Sequence, residues 1–268
     1  MDFREILFVS DFDYTLTNTK RVIPRENIEA IERFIAGGGA FTVGTGRAKA
    51  SFAPQYAVVP TNAPAIVANG ALIYDFTREE AVEVSPLLPE ERAIIKTLAA
   101  RFCASVTMTV ESGLEVYLPD DVYAVAENEY TRRHYAEVGV VAKRAPIDAI
   151  PMPWLKAVFT GAPESLDRLA AAAEEAGLPG VRSMSFMFEL QNRETNKGSA
   201  ARRLANRLGR RVLVCAGDEQ NDLAMLREAD YAFVPVSAPD YMREPGFTVA
   251  AHIDSGVIAD ILRRLEAL

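Results

Sequence analysis

The segment that most constrains the fold is the apolar run Ile6-Leu7-Phe8-Val9, which stops abruptly at Ser10-Asp11. An unbroken β-favouring run suits a strand covered on both faces, as in a parallel sheet; a half-exposed strand would alternate apolar with polar residues. Pro24 then opens a helical pattern with Ile28, Ile31 and Ile35 at spacings of three and four, and Gly37-Gly38-Gly39 stops it. Strands predicted over 40–45 and 65–68 complete the strand–helix–strand order of a right-handed βαβ unit. The same order returns near the C-terminus. A helix over 197–208 precedes the apolar Val212-Leu213-Val214-Cys215-Ala216, a second helix begins near Asn221, a strand covers 231–234 and a last helix starts near Ser255. Between about Glu79 and Glu189 the pattern changes. Strands over 106–110 and 114–118 flank Glu111-Ser112-Gly113 and read as antiparallel, with helices over 89–102, 123–138 and 164–176 around them. The chain therefore reads as an α+β module inserted into an α/β core.

Length and charge bound the possibilities. The 268 residues amount to between one and two domains at roughly 150 residues each, enough to bury a stable core without disulfide or metal staples. With 29 Lys+Arg against 37 Asp+Glu and a net charge of −8, the body repels phosphate backbones and anionic lipid at long range, which argues against nucleic-acid or membrane-surface binding. A metal can still reverse the local field and admit a small anion. Cys103 and Cys215 form no paired motif, and two thiols point to a reducing compartment. The acidic start Met1-Asp2-Phe3-Arg4-Glu5 does not read as a signal peptide, and no apolar stretch approaches the ~20 residues that span a bilayer. A cytoplasmic protein is expected.

Four segments carry chemistry. Asp11-Phe12-Asp13-Tyr14-Thr15 follows the first strand directly, at the carboxyl rim where open α/β sheets bind ligands. In extended chain Asp11 and Asp13 face the same way. Their mutual repulsion calls for a compensating cation or hydrogen bonds, and Mg²⁺ with hard oxygen ligands supplies one. Loop aspartates that cap the following turn are the alternative. Gly217-Asp218-Glu219-Gln220-Asn221-Asp222 follows another apolar strand and adds Asp218 and Asp222; each alone could be a helix cap, but four carboxylates at two strand ends read as a metal site. Val43-Gly44-Thr45-Gly46-Arg47 ends the second strand with a hydroxyl and backbone N–H groups suited to a phosphoryl oxygen. Asn196-Lys197-Gly198-Ser199 opens a helix with a lysine that could bind phosphate and neutralise the carboxylates, unless it is an ordinary solvated lysine. Neither of the last two segments is a P-loop.

Taken in order, DFDYT, Thr45 in VGTGR, Lys197 in TNKG and GDEQNDLAML resemble the four motifs of the haloacid dehalogenase superfamily of phosphohydrolases. The last motif and the position of the insert resemble the Cof-type branch with its large α/β cap. The resemblance implies a Rossmann-like parallel-sheet core over 1–78 and 190–268 and an inserted α+β cap over 79–189, which would carry substrate specificity. It further implies Asp11 as nucleophile and Asp13 as acid and base, with Thr45 and Lys197 holding phosphoryl oxygens. Mg²⁺ would be held by Asp11, the backbone carbonyl of Asp13, Asp218 and Asp222, the last directly or through water. Gly46, Arg47, Asn69 (in the VANGA turn) and Asn221 are further candidates for substrate contact; Asn69 and Asn221 could equally be turn residues. Tyr14 stands where the family commonly has glycine and would crowd the entrance.

The implied activity is a Mg²⁺-dependent phosphatase acting through an aspartyl phosphate on a small phosphorylated metabolite, a sugar phosphate by family tendency, in a monomer or weak homodimer. A phosphomutase using the same aspartate, or a phosphoacceptor module without turnover, are the alternatives. Several features are set aside as structural. They are the solitary His134 and His252, the paired arginines at 132–133, 202–203, 210–211 and 263–264, the aromatic residues Trp154, Tyr117 and Tyr123, and Cys215 as a small buried hydrophobe.

Overall fold

The computed structural model describes residues 1–102, 105–111, 115–119, 133, 136 and 141–268. Cys103, Tyr123, Arg132, His134, the Ser112-Gly113 turn and nearly all of the helix expected over 123–138 lie outside the described residues.

In chain order the elements are β1 (Ile6–Ser10), α1 (Arg25–Ala36), β2 (Ala40–Val43), α2 (Lys49–Tyr56), β3 (Ala65–Val67), β4 (Leu72–Asp75), β5 (Glu80–Val84), α3 (Pro89–Phe102), β6 (Ser105–Val110), β7 (Glu115–Pro119) and β8 (Val141–Ala145). They continue with β9 (Trp154–Thr160), α4 (Pro163–Glu175), β10 (Val181–Met184), β11 (Met187–Gln191), α5 (Lys197–Arg207), β12 (Val212–Ala216), α6 (Leu223–Glu228), β13 (Tyr231–Pro235), β14 (Phe247–Ala250) and α7 (Val257–Glu266). Two compact units result. One comprises Met1–Gly46, Gln55–Val82 and Asn196–Leu268; the other comprises Arg47–Pro54 and Glu83–Thr195.

The first unit is built on a five-stranded sheet in the order β14-β13-β12-β1-β2, and every neighbouring pair in it is parallel. The chain runs outward from β1 to β2 and, later, outward in the other direction from β12 to β14. The strand order therefore reverses between β1 and β12, and this is the crevice where doubly wound sheets place ligands. Ile6, Leu7, Phe8 and Val9 are fully buried, as the unbroken apolar run requires. Phe8 packs edge-to-face on Phe34 of α1 and Phe41 of β2, with centroids 6.4 and 5.4 Å away. On the opposite face, Leu7 and Val9 belong to a cluster with Ala200 and Leu204 of α5 and Met225 of α6. Each such side chain contributes ~1.5–3 kcal/mol by leaving water.

Helix α1 begins after Pro24, as predicted, but its buried stripe is Asn27, Ala30, Ile31 and Phe34; Ile28 and Ile35 lie at its margins. Asn27 sits inside that stripe because its amide is used, donating to the Leu16 carbonyl (3.2 Å) and accepting from Ala259 N–H (3.1 Å). Gly38, at φ +92°, ends the helix in the left-handed region.

The second unit carries a six-stranded sheet, β10-β11-β9-β6-β7-β8. Its strands are antiparallel, as expected, except that β7 and β8 pair in parallel. A parallel pair needs a crossover of a dozen or more residues, and the stretch between Pro119 and Val141 is long enough to supply it. One sheet face is apolar: Val106, Met108, Ala157, Phe159, Phe188 and Leu190 form a core with Ile95 and Leu98 of α3 and Leu166 and Leu169 of α4. The alternate positions Thr107, Thr109, Lys156, Thr160, Glu189 and Gln191 are buried and polar. Trp154 and Tyr117 pack in this unit's core. Among the described residues, no helix is long and apolar enough to cross a membrane.

Candidate active site

The four motif segments meet at the carboxyl rim of the parallel sheet. Asp11 extends β1, its N–H donating to the Ala216 carbonyl at the end of β12 (2.8 Å). The chain then coils tightly through Asp13 and Tyr14, closed by Leu16 N–H to Asp11 O (3.2 Å) and Thr17 N–H to Phe12 O (3.0 Å). Tyr14 takes a left-handed backbone, φ 59° and ψ 15°. That conformation accounts for a glycine preference there; here Thr17 Oγ1 accepts the Tyr14 N–H (3.1 Å) and holds the coil.

Lys197 opens α5. Asn196 caps that helix, its side chain accepting from Ser199 N–H (2.8 Å), which directs the lysine inward. The Lys197 side chain is fully buried, and its ammonium donates to Asp11 Oδ1 (2.6 Å) and Asp222 Oδ1 (2.7 Å). The other oxygen of Asp222 accepts the N–H groups of Asp218 (3.1 Å) and Glu219 (3.2 Å). Asp222 therefore ties the loop after β12 to the lysine. Asp218 Oδ1 accepts from Thr15 Oγ1 (2.6 Å). Asp11, Asp218 and Asp222, all buried, each offer a carboxylate oxygen within 4.8 Å of the others. The side chain of Asp13 is not part of that trio; the contribution expected from Asp13 was its backbone carbonyl.

Three buried carboxylates share a single ammonium. Burial drives Asp11 well above the ordinary carboxylate range, and Asp222, Asp218 and Asp13 add to the rise against the pull of Lys197. Asp218 is pushed up to about 7, by burial first and by Asp222 second. Burial works against the charged form of Lys197, but Asp11 and Asp222 outweigh it and raise its pKa. The acidic protons belong to the cluster as a whole. An oxygen-only donor set with surplus negative charge fits a small, hard divalent cation.

Thr45 follows β2 and is buried; its N–H donates to Ile66 O (2.8 Å) and its carbonyl accepts from Asn69 N–H (3.1 Å). Gly46, Asn69 and Asn221 come together beside it, with Asn221 Nδ2 donating to Asn69 Oδ1 (3.2 Å). Arg47 belongs to the second compact unit. Sequence reasoning gave no role to Thr15, although it closes the DFDYT segment, nor to two glycines. A Cβ on Gly217 would lie 2.4 Å from Asp222 Cβ, and one on Gly198 would lie 2.2 Å from Ala224 O. The first makes room for the Asp222 carboxyl and the second lets α5 and α6 approach. Their signal was adjacency to Asp218 and Lys197. His252 accepts from Asp254 N–H (3.2 Å) at the surface, a local capping contact, and Cys215 is fully buried with its thiol pushed up by desolvation.

The fold agrees with the comparisons to known proteins. The pattern of the haloacid dehalogenase-like hydrolases matches residues 8–262, and the chain belongs to that family. Within it, the protein is a phosphatase of the Cof-type branch. It is 25% identical over 287 aligned positions to the 5-amino-6-(5-phospho-D-ribitylamino)uracil phosphatase YwtE of Bacillus subtilis, covering 95% of this chain and 96% of that one. It is also 25% identical to phosphatase YwpJ of the same organism, over 97% and 99% of the two chains. A solved haloacid dehalogenase-like hydrolase from Bacteroides thetaiotaomicron shares the fold with a TM-score of 0.80 at 19% identity, over 97% and 98% of the chains. The sugar phosphatase BT4131 does so with a TM-score of 0.79 at 20% identity, over 98% and 99%.

Proposed function

We propose that the protein hydrolyses a small phosphorylated metabolite, in the first instance a sugar phosphate, through a phosphorylated Asp11 and with Mg²⁺. The observation that carries this reading is the buried Asp11–Lys197–Asp222 bridge beside Asp218: one aspartate held in a fixed rotamer, one fixed cation, and a surplus of negative charge. The names of the relatives above support the substrate class.

Mg²⁺ would be held by Asp11, Asp218 and the backbone carbonyl of Asp13. Both oxygens of Asp222 are already engaged, by Lys197 and by two N–H groups, which favours its contribution through water. The bound ion supplies the positive charge that lets a phosphoryl group approach these carboxylates. Lys197 keeps the Asp11 carboxylate in line, so an Asp11 oxygen attacks phosphorus from a preset position. The ester P–O bond breaks and Asp13 gives its proton to the departing oxygen. Asp13 then takes a proton from the water that attacks phosphorus, the bond to Asp11 breaks, and inorganic phosphate leaves. Thr45 and the Lys197 ammonium balance charge on the phosphoryl oxygens as the bonds exchange. Specificity is assigned to the inserted unit, whose buried polar sheet face offers hydroxyl, amide and charged groups suited to a polyol.

The test is hydrolysis of p-nitrophenyl phosphate with Mg²⁺ by the wild-type chain and by Asp11→Asn. The reading expects turnover in the first and none in the second. Full activity in Asp11→Asn, or turnover undiminished by a chelator, overturns it.

A further inference from the structure

The turn after β3 carries a run of successive positive-φ residues. Ala68, Asn69 and Gly70 are successive left-handed residues, at φ 50°, 55° and 96°, and all three are buried. Two of them are not glycine, and such a run persists only where the surroundings hold it. The contacts that hold it lead to three of the four motif segments. Asn69 N–H donates to the carbonyl of Thr45 (3.1 Å). Asn69 Oδ1 accepts from Asn221 Nδ2 (3.2 Å), the residue before Asp222. Gly70 lies so close to the start of α5 that a Cβ there would be 2.4 Å from the Asn196 carbonyl oxygen, next to Lys197. The same Asn69 oxygen also rests against Gly46, where a Cβ would come within 2.9 Å.

Topology gives these contacts a direction. Thr45 and Gly46 follow β2, Asn221 follows β12, and β1, which ends in Asp11, lies between those two strands. Asn69, through its N–H to Thr45 and its side chain to Asn221, therefore bridges the loops on either side of the nucleophile's strand. A side-chain amide nitrogen carries two N–H groups in one plane. With one committed to Asn69, the direction of the other is fixed.

We infer that Asn69 is a positioning residue for phosphoryl transfer. It orients the Asn221 amide, whose second N–H donates to a phosphoryl oxygen, and it sets the Thr45 loop on the same side of Asp11. The left-handed turn exists to bring one side chain between two loops that no secondary structure joins. Asn69 acts through Asn221 and makes no contact with substrate itself. This rests on the phosphatase reading above, and the experiment keeps the two separable.

Steady-state hydrolysis of p-nitrophenyl phosphate is measured for wild type, Asn69→Gly, Asn221→Ala and the double variant. Glycine keeps the left-handed backbone and removes only the side chain, and circular dichroism with a thermal melt confirms that each variant is folded. Asn69→Gly is expected to lower kcat by roughly 10- to 100-fold, the scale on which mispositioning acts, while KM changes less. Asn221→Ala is expected to lose at least as much, and the double variant no more than Asn221→Ala alone, because both remove one device. Wild-type kinetics in a folded Asn69→Gly overturn the inference. So do losses that multiply in the double variant, which would make Asn69 an independent substrate contact. Failure of the phosphatase reading would appear separately, as absent wild-type turnover or an active Asp11→Asn.

Discussion

Each compact unit buries a lysine against acids, and the two lysines differ in what surrounds them. In the inserted unit Lys156 on β9 meets Glu189 on β11 at 2.9 Å, with side chains 5% and 8% exposed, a buried ion pair. In the core Lys197 meets Asp11 and Asp222 with Asp218 alongside, one cation for three carboxylates. A matched pair neutralises itself and can be replaced by apolar side chains with little loss. An unmatched cluster carries a standing cost that only a further cation or proton relieves. Both lysines are buried, and the surplus of carboxylates is what marks the Lys197 cluster as the candidate cation site.

The largest effect should come from breaking the unmatched cluster. Lys197→Met leaves three buried carboxylates without their ammonium and should cost about 3–5 kcal/mol of stability. It should also lower turnover on the order of 10²- to 10³-fold or more, read by chemical denaturation and phosphate release on the same preparations. Lys156→Met should cost a similar about 3–5 kcal/mol by stranding Glu189, yet pairing it with Glu189→Leu should recover most of that stability. If the double replacement is no more stable than Lys156→Met alone, the matched-pair account fails.

Proton and metal linkage separates the two regions next. Burial raises the proton affinity of the Asp11–Asp218 cluster in the metal-free fold, with Asp218 pushed from 3.8 to about 7, whereas carboxylates of the unfolded chain release their protons near pH 4. Stability of the metal-free protein should therefore fall as pH rises from about 4 towards 7. Added Mg²⁺ should raise the melting temperature more at pH 8 than at pH 5.5. An equal effect at both would argue against proton–metal competition at this cluster. The smallest effect belongs to Thr15→Val, which removes the hydroxyl that donates to Asp218 without changing shape. Loss of such a supporting bond should weaken metal binding about tenfold and leave the fold nearly unchanged.

Much of this was legible in the sequence because parallel sheets place chemistry where apolar runs end. Ile6–Val9 running into Asp11, and Val212–Ala216 running into Gly217-Asp218, needed only the strand period to be placed. Lys197 was readable as a helix opener, but its burial depends on Asn196 capping α5, on Gly198 admitting α6 and on the Asp11 and Asp222 carboxylates, which are far away along the chain. Asn69 was visible only as a turn residue, since its bridge to Asn221 joins positions 152 residues apart. The inserted sheet was harder to read. Strand β9, buried along its whole length, carries a lysine at its centre that breaks any apolar pattern. The parallel pairing of β7 with β8 is not something alternation encodes. Edge strand β14 is half exposed and short, so it gave little signal.

The central claim is that the unmatched cluster is a divalent-cation site, and calorimetric titration of Mg²⁺ into the chelator-treated protein at pH 7.5 tests it directly. The account predicts one ion per chain, at least about tenfold weaker binding in Asp218→Asn, and unchanged binding in Lys156→Met/Glu189→Leu. No binding by the wild-type chain, or undiminished binding by Asp218→Asn, would contradict it.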